Sequence, residues 1–331
     1  MNENYSARTT HADGVDVVEL RDQAHDVTVR IAPLVGNMVF EILAGGRNIL
    51  FFPDGSPGKL RENRTFSAVP FLAPWANRID SEAYWANGRR YLLNPALGNL
   101  RKDKLGQPIH GLLNFSPLWK PAAAEADGAS ARAVSRLEFW RHPELMAQFP
   151  FAHNLTMTHR LADGELEIET ALENLSGEPM PVAVGYHPYF QLHDAPRDEW
   201  RVHVAARERL VLDERLIPTG ARQPAQYSDP QALAGTQFDD VFSNLVRDPD
   251  DRARFWFQGR RERITVTYGP KYTVAVIYAP AGHDYLCFEP MAAITNAFNL
   301  AHAGVYKELQ SIPPGSAWRE SFWIKPEGFS A

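Results

Sequence analysis

A histidine and a glutamate stand out because each interrupts an apolar and aromatic run. His187 lies in Val184-Gly-Tyr-His-Pro-Tyr-Phe190, and Glu289 ends the run Tyr285-Leu-Cys-Phe-Glu289. A histidine titrates near neutral pH and can therefore donate or accept a proton. A carboxylate at the end of an apolar strand is costly to bury without a partner, and burial raises its pKa toward that of an effective general base. The two residues indicate acid–base chemistry, although a core histidine and a rim carboxylate paired with arginine remain open interpretations.

Three further polar groups are candidates for binding a ligand. Asn77 and Arg78 follow Trp75, His110 precedes Gly111, and Asp239 lies between aromatic residues in Phe238-Asp-Asp-Val-Phe242. Taken alone, each group has an ordinary structural explanation: a surface turn with an extended arginine, a hydrogen-bonded loop histidine, and a turn or helix cap.

The candidate residues fall on strands by their period-two spacing. Gly185, His187 and Tyr189 share one side of their segment, whereas Tyr186 and Phe190 share the other. Pro188 cannot donate a ladder hydrogen bond, so this strand must be at an edge or end here. By the same alternation Glu289 shares a face with Tyr285 and Cys287, which we expect to be a small buried residue.

Alternation of this kind dominates the chain, whereas long helical patterns are scarce. Residues 151–161 and 165–172 alternate on either side of Asp163-Gly164, which predicts a hairpin. Further strands are expected at 26–31, 38–43, 133–139, 263–268, 272–278 and 318–324, and short helical turns at 143–147 and 294–299. The sequence therefore predicts an all-β protein, a large antiparallel β-sandwich.

Composition limits the class of partner. The formal net charge of −6 argues against nucleic acid and anionic membranes as partners. The single cysteine excludes an intramolecular disulfide and a cysteine zinc site. We expect one domain over 1–331 with a flexible segment at 1–14, no signal peptide, a cytoplasmic location, and a monomer or homodimer.

In their order along the chain, these motifs resemble the aldose 1-epimerase, or galactose mutarotase, family. The resemblance rests on Ala76-Asn-Arg-Ile79, Ile109-His-Gly111, His187-Pro-Tyr-Phe190, Phe238-Asp-Asp240 and Phe288-Glu-Pro290, followed by Asn299, and it runs from about residue 35 to the C-terminus. It implies a β-supersandwich, no metal, no organic cofactor, and interconversion of the α and β anomers of a free aldose.

The resemblance also implies roles for individual residues. His187 matches the general acid that protonates the ring oxygen, and Glu289 matches the base that deprotonates the anomeric hydroxyl. Asn77, Arg78, His110 and Asp239 match ligands of sugar hydroxyls. We add Trp75 and Tyr189 as flat rings that could stack on a monosaccharide.

Departures from the family pattern leave three functions open. Leu112 follows His-Gly where the family has glycine, Pro188 replaces a small hydroxyl residue, and a customary glutamine is replaced near Val276. A mutarotase of a neutral aldose is the first expectation. A hexose-6-phosphate mutarotase is the second, with Arg61, Arg64 and Arg89 as candidate phosphate ligands. A sugar-binding protein without turnover is the third, and retention of both His187 and Glu289 counts against it.

Overall fold

The computed structural model describes residues 4–330 of the chain. The strands are β1 Tyr5–Ala12, β2 Val15–Asp22, β3 Val27–Ala32, β4 Met38–Ala44, β5 Arg47–Asn48, β6 Phe71–Leu72, β7 Ala83–Ala86, β8 Arg89–Leu92, β9 Lys120–Ala126, β10 Ala131–Glu138, β11 His153–Ala162, β12 Glu165–Asn174, β13 Met180–Val182, β14 Gly185–Tyr186, β15 Tyr189–Phe190, β16 Arg201–His203, β17 Ala206–Leu212, β18 Pro218–Pro224, β19 Gln231–Ala232, β20 Phe238–Leu245, β21 Ala253–Gln258, β22 Arg263–Tyr268, β23 Val274–Ala279, β24 Leu286–Met291, β25 Gln310–Ile312 and β26 Ala317–Glu327. Short helices are α1 Pro57–Asn63, α2 Pro143–Met146 and α3 Ala297–His302, with 3-10 turns at Pro95–Leu97, Phe139–Arg141 and Arg197–Glu199.

Two large antiparallel sheets pack face to face. One has nine strands in the order β19-β16-β21-β22-β26-β12-β11-β10-β9, and the other has eight, in the order β18-β17-β20-β23-β24-β14-β6 with β15 added on β24. Aromatic side chains join their inner faces: the Phe288 ring of β24 lies 5.8 Å from that of Phe255 on β21, and Tyr186 lies 4.7 Å from Phe322. This confirms the predicted all-β sandwich.

The predicted hairpin is present. β11 and β12 pair along ten positions, from His153 opposite Asn174 to Ala162 opposite Glu165. Asp163 and Gly164 both have positive φ, as the right-handed twist of a two-residue hairpin requires. Residues 263–268 form β22 with the predicted bounds, and the other predicted strands and helical turns occur with ends shifted by a few residues.

The N-terminal segment differs from the expectation of flexibility. Tyr5–Ala12 forms β1, which pairs with β2 along eight positions. Pairing satisfies the backbone polar groups even where side chains are polar, and the Tyr5 hydroxyl also accepts a hydrogen bond from the Asp163 amide at 3.1 Å. Asp13 and Gly14, both at positive φ, form the turn and were the missed sequence signal. Residues 1–3 of the expected flexible segment lie outside the described part.

Acid sensitivity is expected from a histidine on the inner face of β11. Burial lowers the pKa of His159 from 6.5 to about 3. Below about pH 6.5 the unfolded chain therefore binds a proton that the folded protein does not, and the free energy of unfolding falls by about 1.4 kcal/mol per pH unit through this residue. In His159→Leu, the loss of stability between pH 7 and pH 5 should be smaller by about 2 kcal/mol.

Urea denaturation at both pH values measures this difference. His11→Gln is the matched control, because the His11 side chain is exposed. An unchanged difference between pH 7 and pH 5 in His159→Leu would show that protonation of His159 is not linked to unfolding.

Candidate active site

Strand register brings the histidine and the glutamate together. Gly185 pairs with Met291, and Tyr189 pairs with Cys287, so His187 falls opposite Glu289. The strand does end at Tyr186, as Pro188 requires, but β14 lies between β24 and β6 rather than at the sheet edge. Nε2 of His187 lies 3.2 Å from Oε1 of Glu289, and both residues are buried.

Burial acts on the two partners in opposite directions. It lowers the pKa of His187 to about 3 and raises the pKa of Glu289 well above its usual value. Asp239 raises the Glu289 pKa further, whereas Arg78 opposes the increase. The short contact suits an ion pair or a neutral pair, and removal of water favours the neutral one. Across β23, Val276 lies opposite Glu289 and offers the carboxyl group no hydrogen bond.

Three buried polar atoms at this position have no hydrogen-bond partner within residues 4–330. They are Oε2 of Glu289, Nδ1 of His187 and Nδ1 of His110. Buried polar atoms are nearly always paired in folded proteins, and an unpaired one calls for an explanation such as a catalytic role or a bound water or ion. These atoms are therefore available for the hydroxyl groups and ring oxygen of a polar ligand.

His110 is held beside the pair by an unusual backbone. His110 and Gly111 have φ values of 63° and 67°. The His110 amide donates to the Asn77 carbonyl at 2.9 Å, and the Asn114 side chain donates to the His110 carbonyl at 3.0 Å. Burial first, and then the charges of His187, Arg101 and Arg78, lower the pKa of His110 well below its ordinary value. A neutral ring results, able to donate at one nitrogen and accept at the other.

Gly111 gives a direct test of this backbone. A Cβ added there would lie 2.1 Å from the Ala73 carbonyl oxygen, at a positive φ that already disfavours other residues. We expect Gly111→Ala to lower the free energy of unfolding by about 2–5 kcal/mol, through overpacking and backbone strain together. Gly106→Ala is the control in the same loop, because its φ is also positive but no atom lies within 4 Å.

Chemical denaturation of both variants should place Gly111→Ala well below Gly106→Ala, whose strain alone is expected to cost about 1 kcal/mol. Equal stability would contradict the close approach between Gly111 and the Ala73 carbonyl.

Asn77 and Arg78 form a fixed polar rim. The Asn77 Oδ1 accepts hydrogen bonds from the Arg78 amide at 3.0 Å and from Arg78 Nη1 at 2.9 Å. Arg78 Nε donates to Asp103 Oδ2 at 2.7 Å, which neutralises the guanidinium. Asp239 lies on β20 and keeps contact with solvent. Partial burial of its carboxyl group raises the pKa of Asp239, and the charge of Arg78 opposes this increase. The rings of His110 and His187 lie 5.5 Å apart, and the charges of Arg78 and Asp239 act on Glu289, so these three predicted ligands lie close to the acid–base pair, with Asn77 bonded to Arg78.

Aromatic rings enclose the histidines. Tyr189 stacks on His187 with ring centroids 4.6 Å apart, and Phe66 stacks on His110 at 4.9 Å. Tyr285 meets Tyr189 edge-on at 5.2 Å. Trp75 does not join this group: its indole is 1% exposed and packs in the hydrophobic core, so it presents no face for stacking on a sugar.

Several site residues were missed by sequence reasoning. Phe66 and Arg101 come from loops distant in sequence and carry no local pattern that would mark them. Tyr285 had a signal, since it shares a strand face with Glu289. Cys287 is fully buried as expected, and burial raises the pKa of its thiol.

The three arginines considered as phosphate ligands have different surroundings in the structure. Arg61 donates to the Gly14 carbonyl at 2.9 Å, and Arg89 pairs with Glu178 at 2.9 Å. Arg64 caps the C-terminus of α1 and lines a cleft beside the site, together with Arg101.

No cluster of three or more potential metal ligands from His, Cys, Asp and Glu occurs among residues 4–330. Over the same residues, none of the helices has the length and apolarity needed to cross a bilayer.

Solved structures show the same fold. A galactose mutarotase-like protein from Clostridium acetobutylicum superposes with a TM-score of 0.87 at 21% identity, covering 99% of this chain and 100% of the other. Galactose 1-epimerase from Lactobacillus acidophilus NCFM gives a TM-score of 0.73 at 17% identity, covering 98% and 100%. Identities this low establish the fold alone, and that fold is the predicted galactose mutarotase-like supersandwich.

Comparison of the sequence with known families identifies the family of this chain. The uncharacterized protein YihR of Escherichia coli (strain K12) is 23% identical over 234 residues, which are 69% of this chain and 70% of the relative. The family model described as aldose 1-epimerase matches residues 17–325, nearly the whole chain. The protein therefore belongs to the aldose 1-epimerase family.

Proposed function

We propose that this protein is a mutarotase, an isomerase that interconverts the α and β anomers of an aldose by opening and reclosing its ring. The observation that carries the proposal is the buried contact between His187 Nε2 and Glu289 Oε1 at 3.2 Å. Opening a hemiacetal requires one proton to be removed and another to be delivered, and this pair supplies one group for each task. Membership of the aldose 1-epimerase family supports the same reaction class.

In the proposed reaction, Glu289 removes the proton from the anomeric hydroxyl while His187 donates a proton to the ring oxygen. The bond between C1 and the ring oxygen breaks, and C1 becomes the carbonyl carbon of the open-chain aldehyde. Rotation about the C1–C2 bond presents the other carbonyl face. The ring oxygen then attacks C1, the two proton transfers reverse, and the opposite anomer forms with no covalent intermediate on the enzyme.

The proton count suits this cycle. For ring opening in this direction, the one proton that the pair shares must lie on His187, with Glu289 ionised. After opening, His187 is neutral and Glu289 carries the proton. Burial favours the second, neutral arrangement, because it lowers the histidine pKa and raises the glutamate pKa. The ion pair that starts the reaction therefore costs free energy to form in the buried site, and hydrogen bonds from a bound sugar to the Glu289 carboxylate would offset that cost. Each positioned group contributes about a hundred- to ten-thousand-fold to the rate.

The remaining residues are assigned to binding. The unpartnered Nδ1 of His110 supports a role as a ligand near the ring oxygen. Asn77 and Arg78 are proposed to bind hydroxyl groups from their rigid rim, and Asp239 from β20. Tyr189, stacked on His187, is proposed to keep the acid in place and to contact the sugar face.

Polarimetry or NMR of freshly dissolved α-D-glucose, α-D-galactose, L-arabinose and glucose 6-phosphate tests the proposal. The protein should accelerate the approach to anomeric equilibrium for at least one of these sugars. Saturable sugar binding without acceleration would instead support the sugar-binding protein without turnover.

A further inference from the structure

Arg101 carries a guanidinium group beside the acid–base pair. Its Cζ lies 4.4 Å from the centroid of the Phe66 ring. The same ring stacks on His110 and meets His187 edge-on at 5.3 Å. A single aromatic ring therefore separates this cation from both histidines, and its charge contributes to the lowered pKa of each.

The two guanidinium groups near the site differ in their partners. Arg78 is neutralised by Asp103 at 2.7 Å. Arg101 makes no ion pair and no side-chain hydrogen bond with any residue in 4–330, and burial lowers its pKa. Although part of the residue is covered, Arg101 is exposed to solvent, so an anion can reach its guanidinium group and be held there by charge-assisted hydrogen bonds.

A cleft of about 500 Å³ adjoins this position. Arg64 and Arg101 both line it, next to Gly111 and Leu112, and Arg64 likewise has no ion pair within the described residues. Glu144 is the one carboxylate among the lining residues, and its Oε1 lies 3.8 Å from His142 Nδ1. The cleft therefore has an excess of positive charge although the chain as a whole is acidic.

We infer that the substrate is an aldose carrying a tetrahedral oxyanion, a phosphate or sulfate group, which Arg101 binds with support from Arg64. The inference rests on the proposed function, since it places the reacting end of the sugar at His187 and Glu289 and its anionic substituent in the cleft. Guanidinium groups suit this ligand because their planar donors match two oxygens of the anion at once. The inference also bears on Leu112, which stands where the family has glycine. Leu112 lies on the wall of the proposed anion-binding cleft rather than on a rim that binds neutral hydroxyl groups.

The test compares kcat/KM for glucose, glucose 6-phosphate and glucose 6-sulfate, measured by exchange NMR with wild type, Arg101→Gln and Arg89→Gln. Wild type should prefer at least one anionic ester to glucose. In Arg101→Gln the ratio of kcat/KM between anionic and neutral sugar should fall by about ten- to a hundred-fold, through KM, as expected for a lost charge-assisted hydrogen bond. Arg89→Gln should keep the wild-type ratio, because Arg89 pairs with Glu178 away from the cleft. Preference between the two esters then identifies the oxyanion.

Equal kcat/KM for glucose and both esters in wild type would overturn the inference, as would an Arg101→Gln variant with an unchanged ratio. If wild type accelerates none of the three sugars, the proposed function fails for these substrates, and calorimetric binding of inorganic sulfate and phosphate decides the inference separately. Saturable binding that is lost in Arg101→Gln and kept in Arg89→Gln supports the anion site, whereas no saturable binding to wild type overturns it.

Discussion

Glu289→Gln is expected to lower kcat/KM for anomer interconversion by about a hundred- to ten-thousand-fold. The amide keeps the shape of the carboxyl group but cannot take the proton of the anomeric hydroxyl. Because the side chain is 2% exposed, water cannot readily replace it as the base. Exchange NMR of the accepted sugar measures the loss, and KM should change much less than kcat.

Thermal unfolding separates this loss from misfolding. Burial raises the folded-state pKa of Glu289 above its usual value of 4.5. The folded protein is therefore destabilised as pH rises above 4.5, where an unfolded glutamate ionises freely. Gln removes this penalty, so Tm near pH 7 should stay constant or rise. A variant that keeps more than a tenth of the wild-type kcat would contradict the role of Glu289 as the base.

His187→Ala is expected to lower kcat by a similar factor, about a hundred- to ten-thousand-fold, because the ring oxygen then lacks its proton donor. The ring that is removed lies between Phe66 and Tyr189, at 5.3 Å and 4.6 Å. Truncation leaves a cavity with the shape of an imidazole, so added imidazole should restore part of the activity. A structural defect would not respond in this way.

His159→Leu is the matched control for His187→Ala. His159 is also a buried histidine on a strand, but it lies on β11 of the other large sheet. Both variants should be compared per folded molecule. If His187→Ala were as active as His159→Leu and did not respond to imidazole, His187 would not be the acid.

Local pattern predicted the sheets well because strands impose a period of two on burial. In β11 the alternating apolar residues Leu155, Met157 and Leu161 are all buried, and Asp163-Gly164 forms the expected turn. The same alternation placed His187 and Glu289 on the faces where they meet. The prediction that the two residues act together rested on the order of the motifs along the chain, because no local sequence pattern relates β14 to β24.

Contacts between loops escaped prediction. Arg101 and Phe66 meet through tertiary structure, and neither belongs to a regular strand. Trp75 shows the opposite error: a flat ring next to Asn77 suggested a stacking surface, but the chain turns it into the core. Exposure of an aromatic ring depends on what packs over it, which a short motif does not encode.

The most direct test of the central claim is exchange NMR at anomeric equilibrium, with wild type and Glu289→Gln added in turn to the same aldose. Wild type should produce exchange between the α and β H1 signals in proportion to enzyme concentration, and Glu289→Gln should return the exchange rate to that of buffer. Equal exchange with both proteins, or no exchange with wild type for an aldose that binds saturably, would contradict acid–base ring opening by His187 and Glu289.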